Sequence, residues 1–411
     1  MAVLKPFKGI RPDEKYVEDV SCLPYDVMNR DEAREMGKNE KSFLHIVRSD
    51  IDLDDSVDIH DEKVYEKARE NFDKFLQKGY LKQEDKEVYY IYRQIMDGRV
   101  QTGICGCCST FEYEQGIIKK HEFTRPEKEV DRINNFLACS AHTEPVFFAH
   151  RHNENVHSFI EDFTKNNKPV YDFVSDDGIS HILWVVDNEE DVEKVRGYYN
   201  DIDYLYIADG HHRTASSYEV GKRLREKAGD DKDREYNYIL SVVFDSDELS
   251  IMDYNRVVKS LNGLDKDEFF SKMKEKFEIS EPSDEIIKPS KKHDFSMYVE
   301  GKWYLITAKK GTFDESNPVK SLDADILQEN LLGPILGIDD PRTNDNIEFV
   351  GGIRGLKELQ ERADKFGGAA FAVYPVTMDD LFGVADANMV MPPKSTWFEP
   401  KLRSGLFIHK I

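Results

Sequence analysis

The stretch that decides the fold reads Asp203-Tyr204-Leu205-Tyr206-Ile207-Ala208-Asp209-Gly210-His211-His212-Arg213-Thr214-Ala215. Its aromatic and aliphatic half, 204–208, predicts a short buried strand. Asp209-Gly210 interrupts that run, and from His211 onward apolar residues recur at helical spacing, which predicts a packed helix. The sequence therefore predicts a strand, a tight turn and a helix in succession.

The predicted turn has the chemistry of an anion site. A helix N-terminus presents backbone N–H groups and the positive end of the helix dipole, which together suit a phosphate. Arg213 adds a cation that can bind phosphate in a bidentate manner, and Gly210 lets the backbone approach a ligand closely. Asp209 is expected to cap the helix or to help hold a metal ion. The residues leave open a simpler alternative, an ordinary Asp-Gly turn before a capped helix.

Length, composition and charge limit the class of protein and its partners. The chain has 411 residues, enough for two or three domains or one elaborate one, and 39% of them are hydrophobic, so a core can be buried. Eighty acidic against 57 basic residues give a net charge of −23, which repels nucleic acid and anionic membranes. A nucleotide site must therefore form its own positive pocket. No apolar run spans a bilayer, the start does not resemble a signal peptide, and five cysteines favour free thiols, so we expect a cytoplasmic protein.

A second polar cluster follows another predicted strand. Lys120-His121-Glu122 leave that strand, and Pro126 stands where a helix can begin, with Thr124 as its expected cap and an end near residue 138. Sites of α/β proteins are usually assembled at strand ends, which favours a functional interpretation. A solvated loop with a capping threonine is the alternative.

Two segments toward the N-terminus give further expectations. The segments 88–96 and 100–111 predict a hairpin around Asp97-Gly98. The second strand carries Cys105, Cys107 and Cys108, which we interpret as buried strand residues, because no second Cys or His pair follows at zinc-finger spacing. Residues 42–48 predict one more strand.

Two domains are predicted. Residues 1–262 form the first, which carries the turn, and residues 263–411 form a C-terminal α/β domain. The second domain ends in a loop at 391–405 that is rich in cations and hydroxyls. That loop is interpreted either as a second anion-binding element or as an ordered tail.

Four stretches resemble the domain-of-unknown-function-1015 family, and together they span nearly the whole chain. They are Pro24-Tyr25-Asp26-Val27, Lys120-His121-Glu122-Phe123-Thr124 with Asp131-Arg132, the turn from Asp209 to Ala215, and Met391-Pro392-Pro393-Lys394-Ser395-Thr396-Trp397-Phe398-Glu399-Pro400-Lys401. The family commonly has a second proline where Leu23 stands. The Asp-Gly-His-His-Arg element is also similar to the phosphate-gripping motif of the ParB and sulfiredoxin superfamily, some of whose members are free-serine kinases. The resemblance implies a mixed α/β (α+β) fold, with a ParB/sulfiredoxin-like core, large insertions and a C-terminal α/β extension.

The same resemblance implies a kinase that makes O-phosphoserine from free L-serine with ATP or ADP and Mg²⁺. Nucleic acid and membrane are not expected partners, and the oligomeric state is left open. The groups expected to hold the nucleotide are Gly210, His211, His212, Arg213, Thr214, Lys120, Lys394 and Lys401. Glu122 is the candidate general base, with His121 second, and Asp209 is a catalytic residue that holds the metal. Asp131 and Arg132 are expected to bind the substrate.

Two alternatives stay open. A ParB-like protein would bind or hydrolyse a nucleotide for regulation, without small-molecule kinase activity, although the acidity and the lack of a basic helix-turn-helix argue against DNA. A sulfiredoxin-like repair enzyme would need a reactive thiol beside the turn. No cysteine lies near His211 in the sequence, and Cys105 to Cys108 are the candidates to approach it in space.

Overall fold

The computed structural model describes residues 1–229 and 231–411. Contacts divide the chain into two compact units, one of Met1–Leu249 with Pro400–Ile411 and one of Ser250–Glu399. The sequence analysis places its boundary after residue 262 and assigns the whole C-terminal loop to the second domain. By its contacts, the second unit begins earlier, at Ser250, and Pro400–Ile411 belong to the first unit. Independent folding of the two predicted domains stays a prediction.

A mixed sheet organises the first unit. Up to residue 249 its strands are β1 (Leu4–Lys5), β2 (Ile10–Pro12), β3 (Leu81–Gln83), β4 (Tyr89–Met96), β5 (Arg99–Ser109), β6 (Ile118–Lys119), β7 (Ala141–His142), β8 (Val146–His150), β9 (Tyr171–Val174), β10 (Ser180–Val186), β11 (Leu205–Asp209) and β12 (Tyr238–Asp245). Nine of them form one sheet in the order β6-β11-β8-β12-β5-β4-β10-β9, with β1 beside β5. Parallel pairing joins β6 to β11 and β8 to β12, and the other neighbours are antiparallel.

Helices cover this sheet and bury its apolar side chains. They are α1 (Val17–Val20), α2 (Arg30–Met36), α3 (Leu44–Val47), α4 (Glu62–Gln77), α5 (Thr110–Glu114), α6 (Pro126–Cys139), α7 (Glu154–Asn166), α8 (Glu189–Asn200) and α9 (His211–Ala228). Alternate strand residues such as Phe148 and Val243 share one core cluster with Val156 of α7 and Val195 of α8. Successive side chains of a strand point to opposite faces, so this cluster occupies one side of the sheet.

The predicted strand, turn and helix are confirmed. Residues 205–208 lie in β11 and are at most 3% exposed. Gly210 has a φ of 89°, in the left-handed region that glycine adopts without strain, and α9 begins at the next residue. The strand ends beside β8, where the pairing shifts between Ile207 and Asp209.

The hairpin of β4 and β5 is also confirmed. Its turn residues Asp97 and Gly98 have φ values of 52° and 79°, as a tight two-residue turn requires. All five cysteines, which lie in the described ranges, are free and buried. The burial of Cys105, Cys107 and Cys108 on β5 agrees with their interpretation as strand core residues.

Two local predictions are wrong. Residues 42–48 contain the short helix α3 instead of a strand, because a short run of mostly apolar and mostly buried residues has no periodicity that separates the two. The helix after Pro126 is confirmed, but its N-cap is Arg125 and not Thr124.

The second unit is built on an antiparallel sheet. Its strands are β13 (Ile251–Met252), β14 (Tyr254–Val258), β15 (Phe277–Ile279), β16 (Asp294–Val299), β17 (Lys302–Ala308), β18 (Ile347–Gly351), β19 (Ala369–Ala372) and β20 (Trp397–Phe398), and its helices are α10 (Lys266–Met273), α11 (Asp323–Leu327), α12 (Gly355–Phe366) and α13 (Met378–Asp386). Six strands form one sheet in the order β15-β17-β16-β19-β14-β18. The last strand of the chain, β21 (His409–Lys410), pairs with β7 in the first unit. The predicted mixed α/β class is confirmed.

Within the described ranges, no helix has both the length and the apolar character that a membrane span requires.

Candidate functional site

The start of α9 is an open helix N-terminus. The backbone N–H and the hydroxyl of Thr214 both donate to the carbonyl of Gly210, at 2.9 and 3.1 Å, which closes the first turn. No side chain of the described residues caps this end. The first N–H groups of a helix have no partner inside it, so those of residues 211–213 are available to an external acceptor.

An ionised carboxylate lies between two cations beside this turn. The Oδ2 atom of Asp209 lies 3.6 Å from Nη2 of Arg213 and 3.6 Å from Nζ of Lys401. Burial alone would raise the pKa of Asp209, but Lys401 and Arg213 outweigh it and lower the pKa to about 2. Asp209 is therefore charged at neutral pH.

Arg213 packs beneath the turn. The residue is 3% exposed, and its Nη1 donates to the carbonyl of Pro145 at 2.6 Å. A Cβ atom on Gly210 would lie 3.1 Å from its Nη2. Arg213 thus fixes the turn against the segment before β8, and its contact with phosphate stays a prediction.

Two buried imidazoles stand against each other at the site. The rings of His121 and His211 meet edge to face with centroids 4.5 Å apart. Burial lowers the pKa of His121 to about 4 and holds the pKa of His211 well below its usual range, so both rings are neutral at pH 7. Among the described residues, Nε2 of His211 has no hydrogen-bond partner.

His212 connects the two predicted clusters. Its Nε2 accepts a hydrogen bond from the backbone N–H of Arg125 at 3.0 Å. Burial, with Lys128 nearby, lowers the pKa of His212 to about 4, which agrees with this acceptor role. The loop before α6 is thereby tied to the start of α9.

Glu122 and Lys120 lie at the accessible side of the turn. The carboxylate of Glu122 is 46% exposed, and its Oε2 lies 3.8 Å from Nδ1 of His211. Lys120 is one of the charges that lower the pKa of His211, so it also lies close to the turn. The structure therefore brings the 120–122 cluster, the 209–214 turn and Lys401 together within one unit.

Asp131 and Arg132 form a separate buried network. Nη2 of Arg132 lies 2.7 Å from Oδ2 of Asp131, and its Nη1 lies 3.3 Å from Oε2 of Glu144. The guanidinium also stacks on the Tyr25 ring at 3.9 Å. Asp131 accepts a further hydrogen bond from the hydroxyl of Tyr65 at 3.0 Å. Because these groups are engaged with one another, the substrate-binding role of Asp131 and Arg132 stays a prediction.

Lys394 belongs to the second unit. Its carbonyl accepts a hydrogen bond from Arg256 at 3.3 Å, and its Nζ lies 5.4 Å from the centroid of the Tyr254 ring. Both contacts lie within that unit, and its role toward a nucleotide stays a prediction.

Two carboxylates near the turn were not among the predicted site residues. Asp26 and Glu144 are among the groups that raise the pKa of Arg213 against the opposing effect of burial. Glu144 accepts hydrogen bonds from the Tyr25 backbone N–H at 3.2 Å and from the Ser404 hydroxyl at 2.6 Å. The Pro24–Val27 motif was the available signal for Asp26, whereas nothing around residue 144 marked Glu144.

These observations describe a mixed α/β protein in which a strand and a tight turn lead into a helix whose N-terminus has no side-chain cap. The chain belongs to the family described as "Protein of unknown function (DUF1015)", whose sequence model matches residues 4–325. No curated protein matches the chain.

Several solved structures are similar in part. Free serine kinase in complex with AMP shares 14% identity, covering 74% of this chain and 91% of that one, at a TM-score of 0.35. A point mutant of free serine kinase in complex with ADP shares 15% identity, covering 75% of this chain and 93% of that one, at a TM-score of 0.35. C-terminally truncated SbnI from Staphylococcus aureus gives 9% identity, 74% and 87% coverage and a TM-score of 0.37. Similarity at this level does not transfer an activity.

Proposed function

We propose that this chain is a nucleotide-dependent phosphotransferase that makes O-phosphoserine from free L-serine with ATP or ADP as the donor. The observation that supports this best is the uncapped N-terminus of α9, with Lys401 beside Asp209 and the accessible carboxylate of Glu122 next to His211. Free L-serine as the acceptor follows from the motif resemblance and not from a pocket.

The turn supplies what a nucleotide's phosphates need. The N–H groups of residues 211–213 and the positive end of an 18-residue helix face the ligand position, and the ammonium groups of Lys120 and Lys401 add charge. Asp209 is an ionised carboxylate at the same place, and Mg²⁺ is usually held by one or two carboxylates together with substrate phosphates. These residues fit Mg²⁺, which when bound neutralises charge on the phosphates.

Glu122 is the proposed general base. In the proposed step, the serine hydroxyl oxygen forms a bond to the terminal phosphorus while its proton passes to the Glu122 carboxylate. The bond from that phosphorus to the bridging oxygen breaks, and the shortened nucleotide leaves with the electron pair. His121 is 1% exposed, so it is less accessible to a substrate than Glu122. A correctly positioned general base raises the reaction rate on the order of a hundredfold or more.

The test is product formation. Untagged protein is incubated with L-serine, Mg²⁺ and either ATP or ADP, and phosphoserine is measured by ³¹P NMR and mass spectrometry. Glu122→Gln is expected to lower the rate at least about a hundredfold. The matched control is Glu193→Gln on α8, which removes another exposed carboxylate, 58% accessible and paired with Arg196, and leaves the rate unchanged.

Two results would contradict the proposal. Full activity of Glu122→Gln would remove the assigned base. Nucleotide binding without phosphoserine would favour the regulatory alternative over the kinase.

A further inference from the structure

A second polar cluster lies at the opposite end of the same strands. β8 and β12 run parallel, and Asp245 at the end of β12 is the register partner of His150 at the end of β8. β11 runs antiparallel to β8, so Asp209 pairs instead with Phe147 near the start of β8. The carboxyl ends of β8 and β12 therefore meet at the edge of the sheet away from the proposed nucleotide turn.

Three ligand-type atoms converge at this edge. Nδ1 of His152 lies 3.1 Å from Oδ2 of Asp245 and 3.3 Å from Oδ2 of Asp247, and all three atoms lie within 4.8 Å of one another. Asp245 is held in place, because its Oδ2 accepts the N–H of Asn153 at 2.9 Å and its Oδ1 accepts the N–H of Asp247 at 3.0 Å. Backbone donors of this kind orient carboxylates at metal centres.

The two separations from Nδ1 of His152 are compatible with a shared ion. Nitrogen and oxygen ligands about 2.1 Å from a metal stand roughly 3.0 Å apart at octahedral angles and 3.4 Å apart at tetrahedral angles. The two measured separations, 3.1 and 3.3 Å, fall in this interval. The other ring nitrogen of His152, Nε2, lies 3.4 Å from Oε2 of Glu154, so it can donate its N–H to that carboxylate and leave Nδ1 to bind an ion.

A buried imidazole, His150, lies at the same end of β8. His150 is fully buried, and its Nδ1 lies 2.7 Å from the carbonyl of Arg151, so the lone pair of the neutral ring is on Nε2. That Nε2 has no hydrogen-bond partner among the described residues. Register partners present their side chains on one face of a sheet, so this nitrogen lies on the same face as Asp245.

A cavity adjoins the cluster at Asp245. It has a volume of about 250 Å³, and its lining includes Asp245 together with His157, Glu161 and Glu248. The lining also contains Arg93, so the three carboxylates face one guanidinium across the cavity.

We propose that His152, Asp245 and Asp247 bind one divalent first-row transition-metal ion of the Zn²⁺ or Mn²⁺ class. An imidazole ligand favours such ions over Mg²⁺ and Ca²⁺, which take oxygen ligands. Three protein ligands leave a coordination position for water or a small ligand. The site is separate from the proposed nucleotide turn and does not depend on the proposed function.

Calorimetric titration tests this site with the metal alone. Untagged full-length protein is stripped with a chelator and titrated with Zn²⁺ and with Mn²⁺ without nucleotide. One equivalent is expected to bind, and His152→Ala or Asp247→Asn lowers the affinity by at least about tenfold. Both side chains are exposed, 42% and 72%, so the variants are expected to fold, which circular dichroism checks.

The matched control is His45→Ala. His45 pairs with a single carboxylate, Asp52, at 2.7 Å, so its removal leaves the affinity unchanged. Cobalt(II) substitution adds a spectroscopic readout, a visible d–d band present in the parent protein and lost in His152→Ala. Wild-type affinity in His152→Ala, or no bound equivalent in the parent protein, would overturn the proposal.

Discussion

Substituting Gly210 by alanine tests how the turn is built. The φ of 89° places this residue in the left-handed region, where a side chain costs roughly 1 to 2 kcal/mol. A new Cβ would also lie 3.1, 3.2 and 3.3 Å from Nη2, Nε and Cζ of Arg213. The guanidinium is held at 2.6 Å on the Pro145 carbonyl, so it cannot yield without weakening that bond.

The expected loss of stability is the sum of the backbone cost at Gly210 and the cost of losing the Arg213 hydrogen bond. Losing a hydrogen bond to a charged group costs about 1.5 to 3 kcal/mol. Gly210→Ala is therefore expected to lower the free energy of unfolding by roughly 2.5 to 5 kcal/mol. Gly98→Ala is the matched control, because Gly98 has a φ of 79° but nothing within 4 Å of its added Cβ. Gly98→Ala is therefore expected to lose only the free energy of placing a side chain in the left-handed region.

Urea unfolding of both variants gives the comparison, with free energies taken from midpoints at a common slope. The expected excess of Gly210→Ala over Gly98→Ala is about 1.5 to 3 kcal/mol. Equal costs for the two variants would refute the claim that Arg213 is clamped against the turn.

Three further outcomes are expected. Arg132→Ala leaves the buried carboxylate of Glu144 without its ion-pair partner, so urea unfolding is expected to show a loss of about 3 to 5 kcal/mol, and a loss below 1 kcal/mol would contradict this role. Burial and the nearby Arg403 lower the pKa of His181 to about 3. The unfolded chain then binds the extra proton between pH 6.5 and 3, so stability falls as the pH drops through this window. His181→Gln should flatten the slope between pH 6 and 4 by about 1.4 kcal/mol per pH unit, and an unchanged slope would count against a buried neutral ring. All five cysteines are buried, and burial raises the pKa of the Cys105 thiol well above its usual range, so a thiol reagent should label none of them before unfolding, and rapid native labelling would revive the redox alternative.

The local sequence pattern was sufficient to predict the strand, turn and helix around Gly210. The apolar run before Asp209, the Asp-Gly break and the helical spacing after it depend on neighbouring residues, and all of them appear in the structure. The short run at 44–47 shows the limit, because helix and strand look alike when three of four residues, Leu44, Ile46 and Val47, are apolar and buried.

Contacts between residues that are far apart in the sequence could not be predicted from its local pattern. No periodicity indicates that residues 400–411 return to the first unit and place Lys401 beside Asp209. The engagement of Arg132 with Glu144 is equally non-local, so the sequence pattern did not indicate this ion pair, and the substrate-binding role of Asp131 and Arg132 stays a prediction. Residue types predicted the chemistry of the turn, and tertiary contacts decided which charges surround it.

The most direct test of the account is a crystal structure of the chain with ADP and Mg²⁺. The account predicts the diphosphate at the start of α9, with its oxygens about 2.7 to 3.2 Å from the backbone nitrogens of residues 211–213. Nucleotide density elsewhere, with the start of α9 facing only solvent, would contradict it.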